Sequence, residues 1–156
     1  RVPDGRKIQN ECMKRVKKKL EVYVPKKVGV DEILQYFQKN EVHLAVASSS
    51  SKEQIESNLE IAGIRTYFEE IVSGNEVAHG KPAPDIFILA AEKIGCRPEE
   101  CYVFEDSANG IVAGDAAGCK TILIPDLVAP TEKIEQLSYR IYDSLLEAMH
   151  GINSTG

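Results

Sequence analysis

The stretch His43-Leu-Ala-Val-Ala-Ser-Ser-Ser-Ser-Lys52 passes from an apolar run to a cluster of hydroxyls and then into helical spacing. A run that is apolar at consecutive positions, rather than alternate ones, marks a strand covered on both faces. From Lys52 to Ala62 the residues Ile55, Leu59 and Ala62 fall on one helical stripe, and Gly63 supplies a stop. The same grammar extends outward in both directions. Asp31 to Lys39 reads as a helix with Ile33, Leu34 and Phe37 on one face. Ile71-Val72-Ser73, Tyr102-Val103-Phe104 and Thr121-Ile-Leu-Ile124 read as further strands, with a weaker fifth at Arg140-Ile-Tyr142. Pro84 opens a helix to Ile94 that Gly95 closes, and Ser107 caps a small-residue helix running to Ala117. Two short helices follow at 131–137 and 144–149, and Gly151 to Gly156 reads as a disordered tail. Strand and helix in alternation predict an α/β fold, a doubly wound, Rossmann-like parallel sheet.

The 156 residues suit one such domain, with 43% hydrophobic and 28% charged residues placing it among ordinary globular chains. No apolar run approaches the roughly 18 residues that span a bilayer, and no signal-peptide core follows Arg1. The four cysteines, Cys12, Cys96, Cys101 and Cys119, form no CxxC pair, so a reducing, cytoplasmic setting is the expectation. Charge divides the chain more sharply. Residues 1–27 hold ten Lys or Arg against three acidic residues, whereas residues 28–156 carry a net −12. A basic arm can bind a polyanion, but Ile8, Cys12, Val16 and Leu20 form a helical stripe and leave the lysines on the other, wet faces. Without interleaved aromatics to stack bases, nucleic acid is not the expected partner. The reading therefore divides the chain into a basic helix and linker at 1–27, a core at 28–150 and a tail at 151–156.

In doubly wound folds ligands bind at the carboxyl ends of the strands. That rule selects Ser48 to Ser51, the loop from Gly74 to Lys81, the pair Glu105-Asp106, and Pro125-Asp126. Hydroxyls at a helix start can cradle an anion with the free N–H groups, although capping alone needs only one of them. Lys81 lies in Gly80-Lys-Pro-Ala-Pro84, where prolines stiffen the backbone beside an ammonium; a plain surface lysine is the other reading. Adjacent carboxylates at Glu105-Asp106 suit a hard cation such as Mg²⁺, or else the aspartate caps a helix. A cradle, a cation and paired acids together describe a magnesium-dependent phosphate site.

Three ordered stretches carry a resemblance: Ala45-Val-Ala-Ser-Ser-Ser50, Gly80-Lys-Pro-Ala-Pro-Asp-Ile-Phe87, and Val103-Phe-Glu-Asp-Ser-Ala-Asn-Gly-Ile111 continuing into Ala113-Gly-Asp-Ala-Ala-Gly118. Over residues 25 to 150 the chain resembles the haloacid dehalogenase superfamily, in its β-phosphoglucomutase-like phosphatase branch. The resemblance implies that Ser48 holds the transferring phosphoryl group, with Ser49 and Ser50 nearby. It implies that Lys81 screens nucleophile from phosphate and stabilises transition-state charge. Asp106 would bind Mg²⁺, with Glu105 as adjacent ligand or supporting acid. Asn109 lies on the same loop, and His79 reads as loop surface.

The resemblance also implies parts that are not found. The family's nucleophile opens an Asp-x-Asp motif at the end of its first strand, and nothing before Ser48 supplies one; no strand precedes Asp4-Gly5, and Asp31 heads a helix. Residues 6–24 resemble the last helix and return linker of the family's mobile helical cap, so the expectation is that the sequence begins inside it. The family's first strand lies between the strands at 43–47 and 102–104. A bare 156-residue monomer with the usual sheet is thus expected to be unstable unless an upstream segment, another chain or residues 21–24 fill that place. The functional expectation is a Mg²⁺-dependent hydrolase of small phosphorylated metabolites working through an aspartyl-phosphate. The alternatives are a sugar-phosphate mutase and a non-catalytic phosphate-binding or interaction module.

Overall fold

The computed structural model describes residues 29–125 and 129–155. The expected N-terminal basic helix, the 21–24 segment and Asp126 lie outside the described residues. Helix α1 (Val30–Lys39) buries Val30, Ile33, Leu34 and Phe37, the spacing of one helical face. Gly29, with φ of 89°, leads into it, and a Cβ there would lie 2.2 Å from the backbone nitrogen of Leu146. Only a glycine meets both demands. Strand β1 (Ala45–Ser48), buried throughout, is followed by α2 (Lys52–Ala62), whose Ser51 cap accepts from the Gln54 N–H. Then come β2 (Glu70–Ser73), α3 (Asp85–Lys93), β3 (Tyr102–Glu105), α4 (Ala108–Ala117), β4 (Lys120–Leu123), α5 (Glu132–Leu137), β5 (Arg140–Ile141) and α6 (Leu145–Thr155).

All strand pairs are parallel, as the apolar runs predicted. Ala45 to Ser48 lie opposite Glu70 to Ser73, and Tyr102 to Glu105 lie opposite Lys120 to Leu123. One helical layer (α1, α2, α6) shares a core with Val46, Ile71, Phe104 and Ile122; α3 and α4 cover the other face through Phe87, Ala90 and Ala113. Among the described residues the strands form two sheets, β1–β2 and β3–β4–β5, with no ladder joining β1 to β3. The sheet of the described residues thus divides between β1 and β3, where the resemblance implies a further strand. A cleft of about 290 Å³ lies there, walled by Ala45, Ala47, Val103 and Phe104 from the strands and by Phe37 and Ala90 from the helices.

Two readings of the sequence are corrected. The residues from Gly151 continue α6 to Thr155 in place of a disordered tail. Gly151 does not stop the helix because its missing Cβ admits the Tyr142 ring; a Cβ would lie 2.2 Å from the Tyr142 hydroxyl oxygen. The first strand begins at Ala45, not His43, since His43 is exposed and its Nδ1 lies 2.7 Å from the Glu69 carboxylate.

Candidate phosphate site

At the carboxyl ends of β1, β2 and β3, Lys81 meets Glu105 and the carbonyl that precedes Ser48, and Ser73 meets Ser50. After β1 the buried Ser48 side chain accepts a hydrogen bond from the Ser50 N–H at 3.2 Å, which curls the loop ahead of α2. Ser49 is exposed and Ser50 partly buried, so the hydroxyl run sits at the positive end of a capped, eleven-residue helix. The loop is tied down from β2. Ser73, almost fully buried, donates from Oγ to the Ser50 carbonyl at 2.6 Å, and its own N–H donates to Glu76 in a capping box.

Lys81 is the centre of the arrangement. Its Nζ donates to the Ala47 carbonyl at 3.3 Å and to Glu105 Oε2 at 2.5 Å, and it lies 5.0 Å from the centroid of the Phe87 ring. The side chains of Lys81 and Glu105 retain 11% and 3% of their exposure, so the pair is desolvated and each partner depends on the other. Glu105 also accepts from the Ser107 hydroxyl at 3.2 Å, while the same hydroxyl accepts from the Gly110 N–H and caps α4. Gly110 lets the carboxylate lie against the helix: a Cβ there would fall 2.1 Å from Glu105 Cδ. Thus β1, the Gly80–Pro84 loop and β3 meet through one ammonium.

Asp106 is partly buried directly beside Glu105, and Asn109 is exposed on the first turn of α4. His79 is exposed, its Nδ1 3.4 Å from the Asp85 carboxylate, in keeping with loop surface. Among the described residues no group of three His, Cys, Asp or Glu side chains is placed to hold a metal. Glu105 is already bonded to Lys81 and Ser107, so the described residues alone do not complete the oxygen shell of a divalent cation. Sequence reasoning missed Ser73 and the role of Gly110. The Ser73-Gly-Asn-Glu76 pattern, a capping box at a strand end, was the available signal for the first.

A family model described as haloacid dehalogenase-like hydrolase matches residues 3–124. A bifunctional riboflavin kinase/FMN phosphatase of Arabidopsis thaliana is 40% identical over 104 residues, which is 66% of this chain and 27% of that one. The crystal structure of CbbY from Rhodobacter sphaeroides in complex with phosphate is 31% identical with a TM-score of 0.71, over 78% of this chain and 55% of that one. A β-phosphoglucomutase from Clostridium difficile shares the fold at 21% identity, with a TM-score of 0.67 over 78% of this chain and 51% of that one. The chain therefore spans between about a quarter and somewhat over half of the length of these proteins.

Proposed function

This chain belongs to the haloacid dehalogenase-like hydrolases, in the β-phosphoglucomutase- and CbbY-like branch, and on that premise we propose that it is the core of a phosphate monoester hydrolase. The observation that carries the reading is the Lys81 ammonium, desolvated at the strand ends between Ala47 and Glu105. A positive charge fixed before the reaction stabilises the charge that develops on a transferring phosphoryl group, with no reorganisation at that moment. Ser48, with Ser49 and Ser50, supplies hydroxyl and N–H donors at the start of α2, where an anion is favoured. Asp106, with Glu105 beside it, is the residue assigned to Mg²⁺; the ion would neutralise phosphate charge and needs further oxygen ligands beyond these two. Substrates of this reading are small phosphorylated metabolites.

The test is phosphate release from a panel of phosphate monoesters with Mg²⁺, together with the thermal stabilisation of the chain by inorganic phosphate. Ligand at about 100 times its dissociation constant would stabilise by roughly 2.7 kcal/mol. Lys81→Gln should lose that stabilisation and reduce any turnover by about 10²–10³-fold. Equal phosphate binding by wild type and Lys81→Gln would refute the assignment. Phosphate binding without release would instead favour the non-catalytic reading. Conversion of one sugar phosphate into its isomer without release would favour the mutase.

A further inference from the structure

Two buried hydroxyls at the strand ends are bonded in the same pattern. Ser73 Oγ accepts from the Asn75 N–H at 3.1 Å and donates to the Ser50 carbonyl at 2.6 Å. Ser48 Oγ in turn accepts from the Ser50 N–H at 3.2 Å. A hydroxyl has one proton to give, and an N–H seated on its oxygen leaves that proton to be given elsewhere. For Ser73 the acceptor is the Ser50 carbonyl. For Ser48, only 7% exposed, the hydroxyl proton has no acceptor among the described residues. A buried donor left without a partner is costly, so it points to a ligand. Ser48 follows directly on Ala47, whose carbonyl holds the Lys81 ammonium. The unspent proton and the cation therefore stand at neighbouring residues of one strand end.

We propose that Ser73 is a positioning residue for the phosphate: through Ser50 it holds the Ser48 hydroxyl with its proton turned to the ligand. This role rests on the phosphate reading and adds to it a residue that does not itself meet the anion, since Ser73 is 2% exposed. The bonds run in one direction. The turn after β2 fixes Ser73 twice, the Asn75 N–H donating to its Oγ and Glu76 accepting from its N–H. Ser73 then fixes the Ser50 carbonyl, and because the peptide is planar the unit that leads into the Ser51 cap is set with it. The N–H of the same Ser50 meets Ser48 Oγ. Without the Ser73 hydroxyl the Ser50 carbonyl is unmet, the loop is free to turn, and Ser48 can spend its proton on a backbone carbonyl. An anion must then compete for a donor that is preorganised in the wild-type chain.

The experiment is calorimetric titration of inorganic phosphate, at fixed Mg²⁺, into the full chain and its variants. Ser73→Ala should raise the dissociation constant by about 3–10-fold, the worth of one net hydrogen bond. Ser73→Thr and Ser73→Val have the same shape and differ in the hydroxyl, so the first should bind phosphate about 3–10-fold more tightly than the second. That pair decides the matter should Ser73→Ala fail to fold, and equal affinities within it would overturn the proposal. In a Ser48→Ala background the Ser73→Ala change should alter affinity by less than about twofold, because the proton it positions is gone. A loss of equal size in both backgrounds would make Ser73 a plain support of the turn and overturn the proposal. Equal binding by wild type and Ser73→Ala, with binding lost in Lys81→Gln, would overturn the positioning role and leave the phosphate reading intact. No binding by the wild-type chain would overturn both.

Discussion

Replacing Gly110 by alanine sets two effects of opposite sign against each other. Alanine is the better helix former by about 0.5–1 kcal/mol, and Gly110 lies inside α4. The new methyl, however, would occupy space 2.1 Å from Glu105 Cδ and 2.2 Å from its Oε1. The carboxylate must move, and it is bonded to Lys81 and Ser107 with a side chain only 3% exposed. Separating a buried ion pair costs about 3–5 kcal/mol, so net destabilisation of roughly 2–4 kcal/mol is expected. For a chain of this size that lowers the melting temperature by roughly 5–15 °C. Urea denaturation of wild type, Gly110→Ala, Glu105→Ala and the double variant closes a cycle. In the Glu105→Ala background the methyl has room, so the same change should be neutral or stabilising by up to about 1 kcal/mol. A Gly110→Ala chain as stable as wild type, or an equal loss in both backgrounds, would refute the geometry.

Three further outcomes follow from the same structure. Ser51→Ala removes the acceptor for the Gln54 N–H and should lower stability by about 0.5–2 kcal/mol in the same denaturation assay; an unchanged midpoint would refute the cap. Glu76 is held below the usual carboxylate value of 4.5 chiefly by the Ser73 N–H, opposed next by burial, with Lys93 and then Lys52 adding to the lowering. Its stabilisation is therefore present above about pH 4.5 and lost as pH falls through the lower folded value. The wild-type advantage over Glu76→Gln, a few tenths to about 1 kcal/mol at this partly exposed site, should shrink on acidification; growth of that advantage below pH 4 would refute it. Burial pushes the Cys119 thiol up to about 12, so alkylation at pH 8 should run at least about 100-fold slower than for an unfolded chain, as mass spectrometry of the labelled peptides would show.

Much of the fold could be read because punctuation and burial agreed. Ser51 and Gly63 bound α2 at the predicted residues, and the consecutive apolar runs announced strands covered on both sides. The reading failed where a residue's local habit was overridden from a distance. Gly151 looked like a stop, but Tyr142 fills the space its side chain would have taken. Of the candidate site, the strand-end rule selected Ser48, Lys81 and Glu105, because it needs only the order of elements; that Lys81 and Glu105 meet is what the structure adds. It treated them as separate groups. The Lys81–Glu105 pair joins residues 24 apart, and the Ser73–Ser50 bond residues 23 apart, so neither leaves a local pattern to read.

The ammonium of Lys81 also spans the line along which the sheet divides. One of its bonds goes to a carbonyl of the β1–β2 sheet and the other to the last residue of β3. Beneath it, Phe37 of α1 stands edge-on to Phe104 of β3 with ring centroids 6.0 Å apart. Among the described residues the sheet thus divides along one line, and the lysine proposed to meet an anion also bridges it. On the proposed reading, an anion that drew Lys81 away from Glu105 would leave that buried carboxylate unpaired, so one charge would serve both ligand binding and the contact between β1 and β3.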